Sequence, residues 1–213
     1  MPFRRSVLLA LCVASLSAAP AAAHPHVTVD TETAVTFEAG QMAALVHTWT
    51  FDEMYSTFAI QGLDADKDGK LSREELAELT KINVENLAER SFFTVMRHDR
   101  RFVSFGPVRD AWSEVEGGKL KLHFTVPIRT PFATGDKPVT LEIYDPEYFV
   151  AFGPAEGEPI RLTSAPTGCS VDHTPPRKPD ARGQVLSESF FQALNPGQNF
   201  GQQFAGRFTV TCR

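Results

Sequence analysis

The chain has 213 residues, a formal charge of −5, and is 42% hydrophobic and 10% aromatic. That is enough for at least one domain with a substantial core. The acidic balance, with no basic run anywhere, argues against a nucleic-acid partner, which would call for clustered Lys and Arg.

Residues 1–23, MPFRRSVLLALCVASLSAAPAAA, read as a signal peptide. Arg4 and Arg5 form the positive region, Ser6 to Leu16 the apolar region, and Ala21-Ala22-Ala23 an A-x-A cleavage site. The apolar stretch is shorter than the ~20 residues of a membrane span, and no later one is apolar enough. The sequence therefore predicts an exported, periplasmic protein that does not itself span the membrane. Cleavage after Ala23 would leave 190 residues with a formal charge of −7, beginning at His24. Of three cysteines, Cys12 lies in this leader. Cys169 and Cys212 form an even pair in an oxidising compartment, which predicts a disulfide. Its loop would contribute ~4 kcal/mol by chain entropy.

After His26 the chain alternates in HVTVDTETAVTF and again in ALVHTWTF, with EAGQ between them. This predicts a β-hairpin. A three-residue loop, Glu38 to Gly40, would set Val29 opposite Trp49, Val27 opposite Phe51 and His26 opposite Asp52. Residues 53–90 then read as helical: Met54, Phe58 and Leu63, and later Leu76, Leu79, Ile82 and Leu87, recur at helical spacing. Strands return in FFTVMRH, RFVSF, AWSEV and KLKLHFTVPI, the last two joined at Glu116-Gly117-Gly118. VTLEIYD and EYFVAFG flank Asp145-Pro146, residues 172–183 form a Pro-rich surface loop, Ser187 could cap a short helix, and RFTVTC closes the chain as a strand. The expected fold class is α+β: 24–213 form one antiparallel β-sandwich-like domain with 53–90 as an inserted EF-hand-like helix–loop–helix.

DADKDGKLSREE, residues 64–75, fits the EF-hand loop pattern at every defining position. Asp64, Asp66 and Asp68 would give monodentate oxygens, Lys70 its backbone carbonyl, Ser72 a water-mediated contact and Glu75 a bidentate carboxylate. Gly69 permits the sharp turn, and Ser72 with Glu75 forms a capping box for the second helix. An all-oxygen set favours Ca²⁺ over transition metals. One such loop, without a second to pair with, predicts a structural staple rather than a switch.

AAAHPHVTVD raises a second metal question. Cleavage would give His24 a free amine beside its imidazole, and His26 would point to the same side of an extended segment. Neutral imidazoles suit Zn²⁺, Ni²⁺ or Cu²⁺, with Asp52 as a third ligand or an orienting group. Among the other histidines, His47 shares an apolar face and reads as a core histidine, His123 is ambiguous, and His98 and His173 read as solvated. The phenylalanines read as core. No GxSxG, HExxH, CxxC or Gly-rich phosphate loop occurs, so no catalytic residue is assigned and no enzyme is expected.

The order of HPHV (24–27), HTWTFDEMYS (47–56), QGLDADKDGKLSREEL (61–76), ENLAERSFFT (85–94), YDPEYFVAF (144–152), APTGC (165–169) and QQFAGRFTVTC (202–212) resembles a family of bacterial exported proteins. Its members are described as the periplasmic component of an uncharacterised ABC-type transport system and often accompany nickel/cobalt-type metal permeases. The resemblance implies a periplasmic role linked to transition-metal handling. With the acidic loop, the expectation is a calcium-stabilised accessory protein of divalent-metal transport, partnered by a membrane metal permease or ABC-type components. The competing expectation is a calcium-stapled interaction module without a transition-metal site.

Overall fold

A computed structural model describes residues 25–176 and 199–213. The predicted hairpin is present as β1 (Val27–Glu38) and β2 (Gln41–Phe51). Its turn is two residues long, not three: Glu38 faces Gln41, and Ala39 and Gly40 both take positive φ, at 48° and 77°. That is the turn geometry whose twist matches the strands it joins. A bulge between Thr36 and Phe37 absorbs one further residue. Together they slide the register two residues from the expected one, to Val29 opposite Phe51 and Thr31 opposite Trp49. Because the slip is even, no side chain changes face, and Val29, Val35, Leu45 and Trp49 are all buried as expected.

β5 (Arg109–Glu116) and β6 (Lys119–Phe132) form a second hairpin, and β6 pairs with the free edge of β2. The other edge of β1 is taken end to end by β8 (Val150–Pro154) and β9 (Ile160–Thr163), both parallel to it. The expected all-antiparallel arrangement is corrected here. A 12-residue strand offers an edge long enough for two short partners, and β9 was too short to stand out in the sequence. The second sheet is antiparallel, in the order β10 (Cys169–Thr174), β11 (Arg207–Cys212), β7 (Val139–Ile143), β3 (Thr94–His98), β4 (Arg101–Phe102). The expected loop from residue 172 is strand through Thr174. Pro175, which has no N–H to give the ladder, follows at once. The remainder of that loop from residue 177, and Ser187, lie outside the described residues.

One hydrophobic cluster draws on both sheets. Trp49, Leu122 and Phe124 come from the first, and Met96, Leu141 and Val210 from the second. Trp49 meets Phe124 and Phe152 edge-on, with centroids 4.9 and 5.0 Å away. Cys169 and Cys212 face each other across β10 and β11 and are disulfide-bonded. His47 lies wholly inside the cluster, its Nδ1 2.9 Å from the Thr33 hydroxyl.

Two helices occur among the described residues, α1 (Glu53–Ala59) and α2 (Ala77–Glu89). The inward face of α1 differs from the one expected: Met54 and Phe58 are 73% and 77% exposed, while Ser56 is fully buried. Leu76, Leu79 and Leu87 pack on the core as their spacing predicts, and Ile82 is exposed. Polar ties, not the apolar spacing, orient α1. The Ser56 hydroxyl accepts the Leu120 N–H of β6 at 2.9 Å and donates to the Asp52 carbonyl at 2.6 Å. After α2, Ser91, Phe92 and Phe93 take positive φ in succession, at 51°, 55° and 48°. Left-handed backbone is unfavourable by roughly 1–2 kcal/mol per non-glycine residue. Burial of both phenylalanine rings offsets it.

Candidate metal centre

The loop between the helices begins at Gly62, whose φ of +79° turns the chain out of α1. Three carboxylates then converge. One oxygen each from Asp64, Asp66 and Asp68 lies within 4.8 Å of the others, with Asp64 half-buried and the other two exposed. Backbone donors gather round them. The Asp68 N–H reaches Asp64 Oδ1 (3.2 Å) and Asp66 Oδ1 (3.1 Å), and the Gly69 N–H reaches Asp64 Oδ2 (3.1 Å). The Lys70 N–H reaches Asp68 Oδ1 at 2.7 Å. Gly69 sits at φ +82°, as its place in the pattern requires.

Glu75 stands apart from that trio. Its Oε1 accepts the Ala65 N–H at 2.7 Å, and its Oε2 accepts both the N–H and the hydroxyl of Ser72 at 2.9 Å. The Ser72 hydroxyl in turn accepts the Glu75 N–H at 3.2 Å, which completes the reciprocal cap. Regular helix begins a turn later, at Ala77. The Ser72 N–H first, then the Ala65 N–H and the Ser72 hydroxyl, hold the Glu75 carboxyl below the usual range. Glu75 thus ties the two ends of the loop together. Four of the six expected ligand residues, Asp64, Asp66, Asp68 and Glu75, offer carboxylates, and the structure converges three of them. A hard divalent cation fits that donor set, since it would screen three like charges that otherwise repel.

The loop is also fixed to the sheet. The Arg73 guanidinium lies over the Trp112 ring, 3.6 Å from its centroid, and Trp112 stacks on His123 at 3.9 Å. His123 is held by the Thr48 hydroxyl at 3.1 Å and the Glu114 carboxylate at 3.0 Å. The Thr80 hydroxyl of α2 bonds the Ser113 hydroxyl of β5 at 2.7 Å.

The N-terminal trio is resolved differently. His24 lies outside the described residues. The His26 N–H donates to the Phe149 carbonyl at 3.0 Å, and its ring stacks on that of Phe149 with centroids 6.2 Å apart. Asp52 is not opposite His26. The corrected register brings it to Thr28, whose N–H reaches Asp52 Oδ2 at 2.7 Å, while Oδ1 caps α1 by accepting the Tyr55 N–H at 2.8 Å. Burial pushes the Asp52 carboxyl up, but the N–H bonds from Tyr55 and Thr28 outweigh it and hold it below the ordinary value. An expected metal ligand is therefore engaged as a helix cap. His98, expected in solvent, is half-buried, stacked on Phe132 at 4.5 Å and bonded to the Thr134 carbonyl at 3.1 Å.

Two buried carboxylates escaped sequence reasoning. Asp145, 2% exposed, accepts the N–H groups of Glu147, Phe149 and Val150 at 3.0, 2.9 and 3.1 Å, and so shapes the entry to β8. The Asp-Pro pair marked a turn but not this role. Glu142, 3% exposed, accepts from Arg207 Nη2 at 3.1 Å and pairs with Arg97 at 3.6 Å. Both partners come from neighbouring strands, which no local pattern reveals.

Two antiparallel-rich sheets, a helix–loop–helix carrying an acidic trio and one cross-strand disulfide define the class: an α+β protein with a candidate cation loop. The chain belongs to the family described as Protein of unknown function (DUF1007), which matches residues 8–212. It is also similar to an uncharacterised protein of Haemophilus influenzae, 23% identical over 192 residues, covering 89% of this chain and 91% of that one.

Proposed function

We propose that this protein is an exported, calcium-stabilised accessory protein of divalent transition-metal transport. Its two sheets are read as a sandwich and residues 53–90 as an EF-hand-like insert. The observation that carries the calcium part is the convergence of Asp64, Asp66 and Asp68 within 4.8 Å on a loop of EF-hand spacing. The transition-metal part rests on the HPH sequence behind an A-x-A site and on the resemblance to exported proteins that accompany metal permeases. In this reading His24, through its imidazole and freed amine, and His26 hold one Zn²⁺, Ni²⁺ or Cu²⁺ in the periplasm. Asp52 keeps its capping role, and a permease or ABC-type component is the partner.

The test is titration calorimetry on protein with a native His24 terminus and on the same protein extended by one residue. The extension moves the amine out of chelating range and leaves both imidazoles, so it weakens transition-metal binding strongly. Equal affinity in both removes the amine from the site. Calcium at tenfold saturation raises stability by about 1.4 kcal/mol, and Asp64→Ala abolishes that gain. An unchanged melt in millimolar calcium overturns the staple.

One observation favours the second reading, an interaction module without a transition metal. Met54 and Phe58, four residues apart on α1, present large apolar side chains to solvent. Absence of binding in both calorimetric titrations would leave that module as the better account.

A further inference from the structure

A cleft of about 690 Å³ opens beside the C-terminal end of α2, between the left-handed turn at Ser91–Phe93, β3 and the segment 102–107. Its size falls within the range of small-molecule sites. Segment 103–106 forms one wall because the chain there crosses from one sheet to the other. The Val103 N–H bonds the Met96 carbonyl of β3 at 2.9 Å, and the Gly106 N–H bonds the Pro127 carbonyl of β6 at 2.7 Å. The lining is largely apolar, with Phe92, Met96, Phe102, Val103 and Phe105 in it. Phe102 is 70% exposed, an unusual setting for a phenylalanine, with the Arg97 guanidinium over its ring at 4.5 Å from the centroid. The strained turn at Ser91–Phe93 borders the cleft, and backbone strain of this kind gathers at ligand clamps.

Arg129 is the one ionisable side chain in the lining. It is exposed, and its guanidinium gives a single hydrogen bond among the described residues, from Nη2 to the Phe105 carbonyl at 3.1 Å. That bond fixes the planar group and leaves its other N–H donors for a ligand. On a chain with a formal charge of −5, a cation without a facing carboxylate is a selective feature. A guanidinium offers a carboxylate two parallel hydrogen bonds, which a neutral hydroxyl cannot match.

We propose that this cleft binds an amphiphilic monocarboxylate, its aliphatic chain along Phe102, Val103 and Phe105 and its carboxylate on Arg129. The proposal is independent of both metal sites.

Sodium decanoate, below its micelle concentration, is the probe, with decanol as the neutral control and binding followed by NMR shifts of the 91–107 amides. Decanoate binds saturably and at least tenfold more tightly than decanol. Arg129→Gln removes that difference, while Phe102→Ser weakens both ligands. Both side chains are exposed, and a melting curve on each variant confirms the fold. No saturable shift with decanoate, equal affinity for acid and alcohol, or an undiminished preference in Arg129→Gln would each overturn the proposal. A cleft built for a protein partner would give the first of these results.

Discussion

Arg73, two residues from the end of the acidic loop's ligand run, lies 3.6 Å above the ring of Trp112 on β5. A guanidinium at that distance perturbs the indole's surroundings, so the loop reports on itself through the sheet. Calcium titration is expected to change Trp112 emission in the wild type and to leave it unchanged in Asp64→Ala. Arg73→Ala should retain calcium binding by calorimetry but lose most of the optical response. A silent tryptophan in a protein that calorimetry shows to bind calcium would mean that Arg73 does not move with the loop.

His47 sets an acid limit on stability. Burial pushes its imidazole down from 6.5 to about 3. Between those values the unfolded chain binds a proton that the folded chain refuses, so stability falls as pH falls from 6.5 towards 3. The slope is about 1.4 kcal/mol per pH unit from this group. Asp52, whose folded value lies below its ordinary 3.8, adds to the loss only at the acid end. Urea midpoints at pH 7 and pH 5 isolate the histidine: the drop between them shrinks in His47→Gln. An equal drop in that variant would place the acid sensitivity elsewhere.

Glu142 and Arg97 form the most buried ion pair among the described residues, their side chains 4% and 29% exposed, and Glu142 pairs with Arg207 as well. Glu142→Gln keeps the shape but leaves two arginines beside a neutral amide. Arg207 is half-exposed, which lets water screen it. The expected loss is therefore about 1–3 kcal/mol rather than the larger figure for a fully enclosed pair. Thermal melts read it directly, and a variant as stable as the wild type would show that solvent already satisfies both guanidinium groups.

Gly201 stands where no side chain fits. A Cβ there would run into the Asp145 carbonyl, and the Gly201 N–H already bonds the Pro146 carbonyl at 3.0 Å. Gly201→Ala is expected to lower stability by about 1–3 kcal/mol. The change should show in the amides of residues 145–150, which Asp145 organises, before it shows anywhere else. An unshifted spectrum there would mean the two segments part easily.

Much of the architecture could be read from local patterns. Alternation located both strands of the first hairpin, and the even slip in their register left the buried faces intact. The acidic loop was legible because its donors lie within twelve residues of one another. What escaped depended on distant partners. Met54 and Phe58 have helical spacing, yet a serine hydroxyl bonded to a strand 64 residues away decides which side of α1 turns inward. The place of Asp52 followed from the shorter turn together with a bulge, and the bulge has no compositional signature. The parallel pairing of β8 and β9 with β1 joins segments more than 100 residues apart, and nothing in either segment announces the other.

That last pairing has a consequence for biogenesis. The hairpin of β1 and β2 can close as soon as it leaves the ribosome, but the outer edge of β1 stays unpaired until residues 150–163 arrive. At 5–20 residues per second the delay is roughly 6 to 20 s. Over that interval a row of free N–H and C=O groups flanked by Val29, Thr31, Thr33 and Val35 is open to any extended chain nearby. A nascent polypeptide of this design gains from a holdase that keeps it from pairing early, and truncation before residue 150 should yield an aggregating product rather than a smaller folded one.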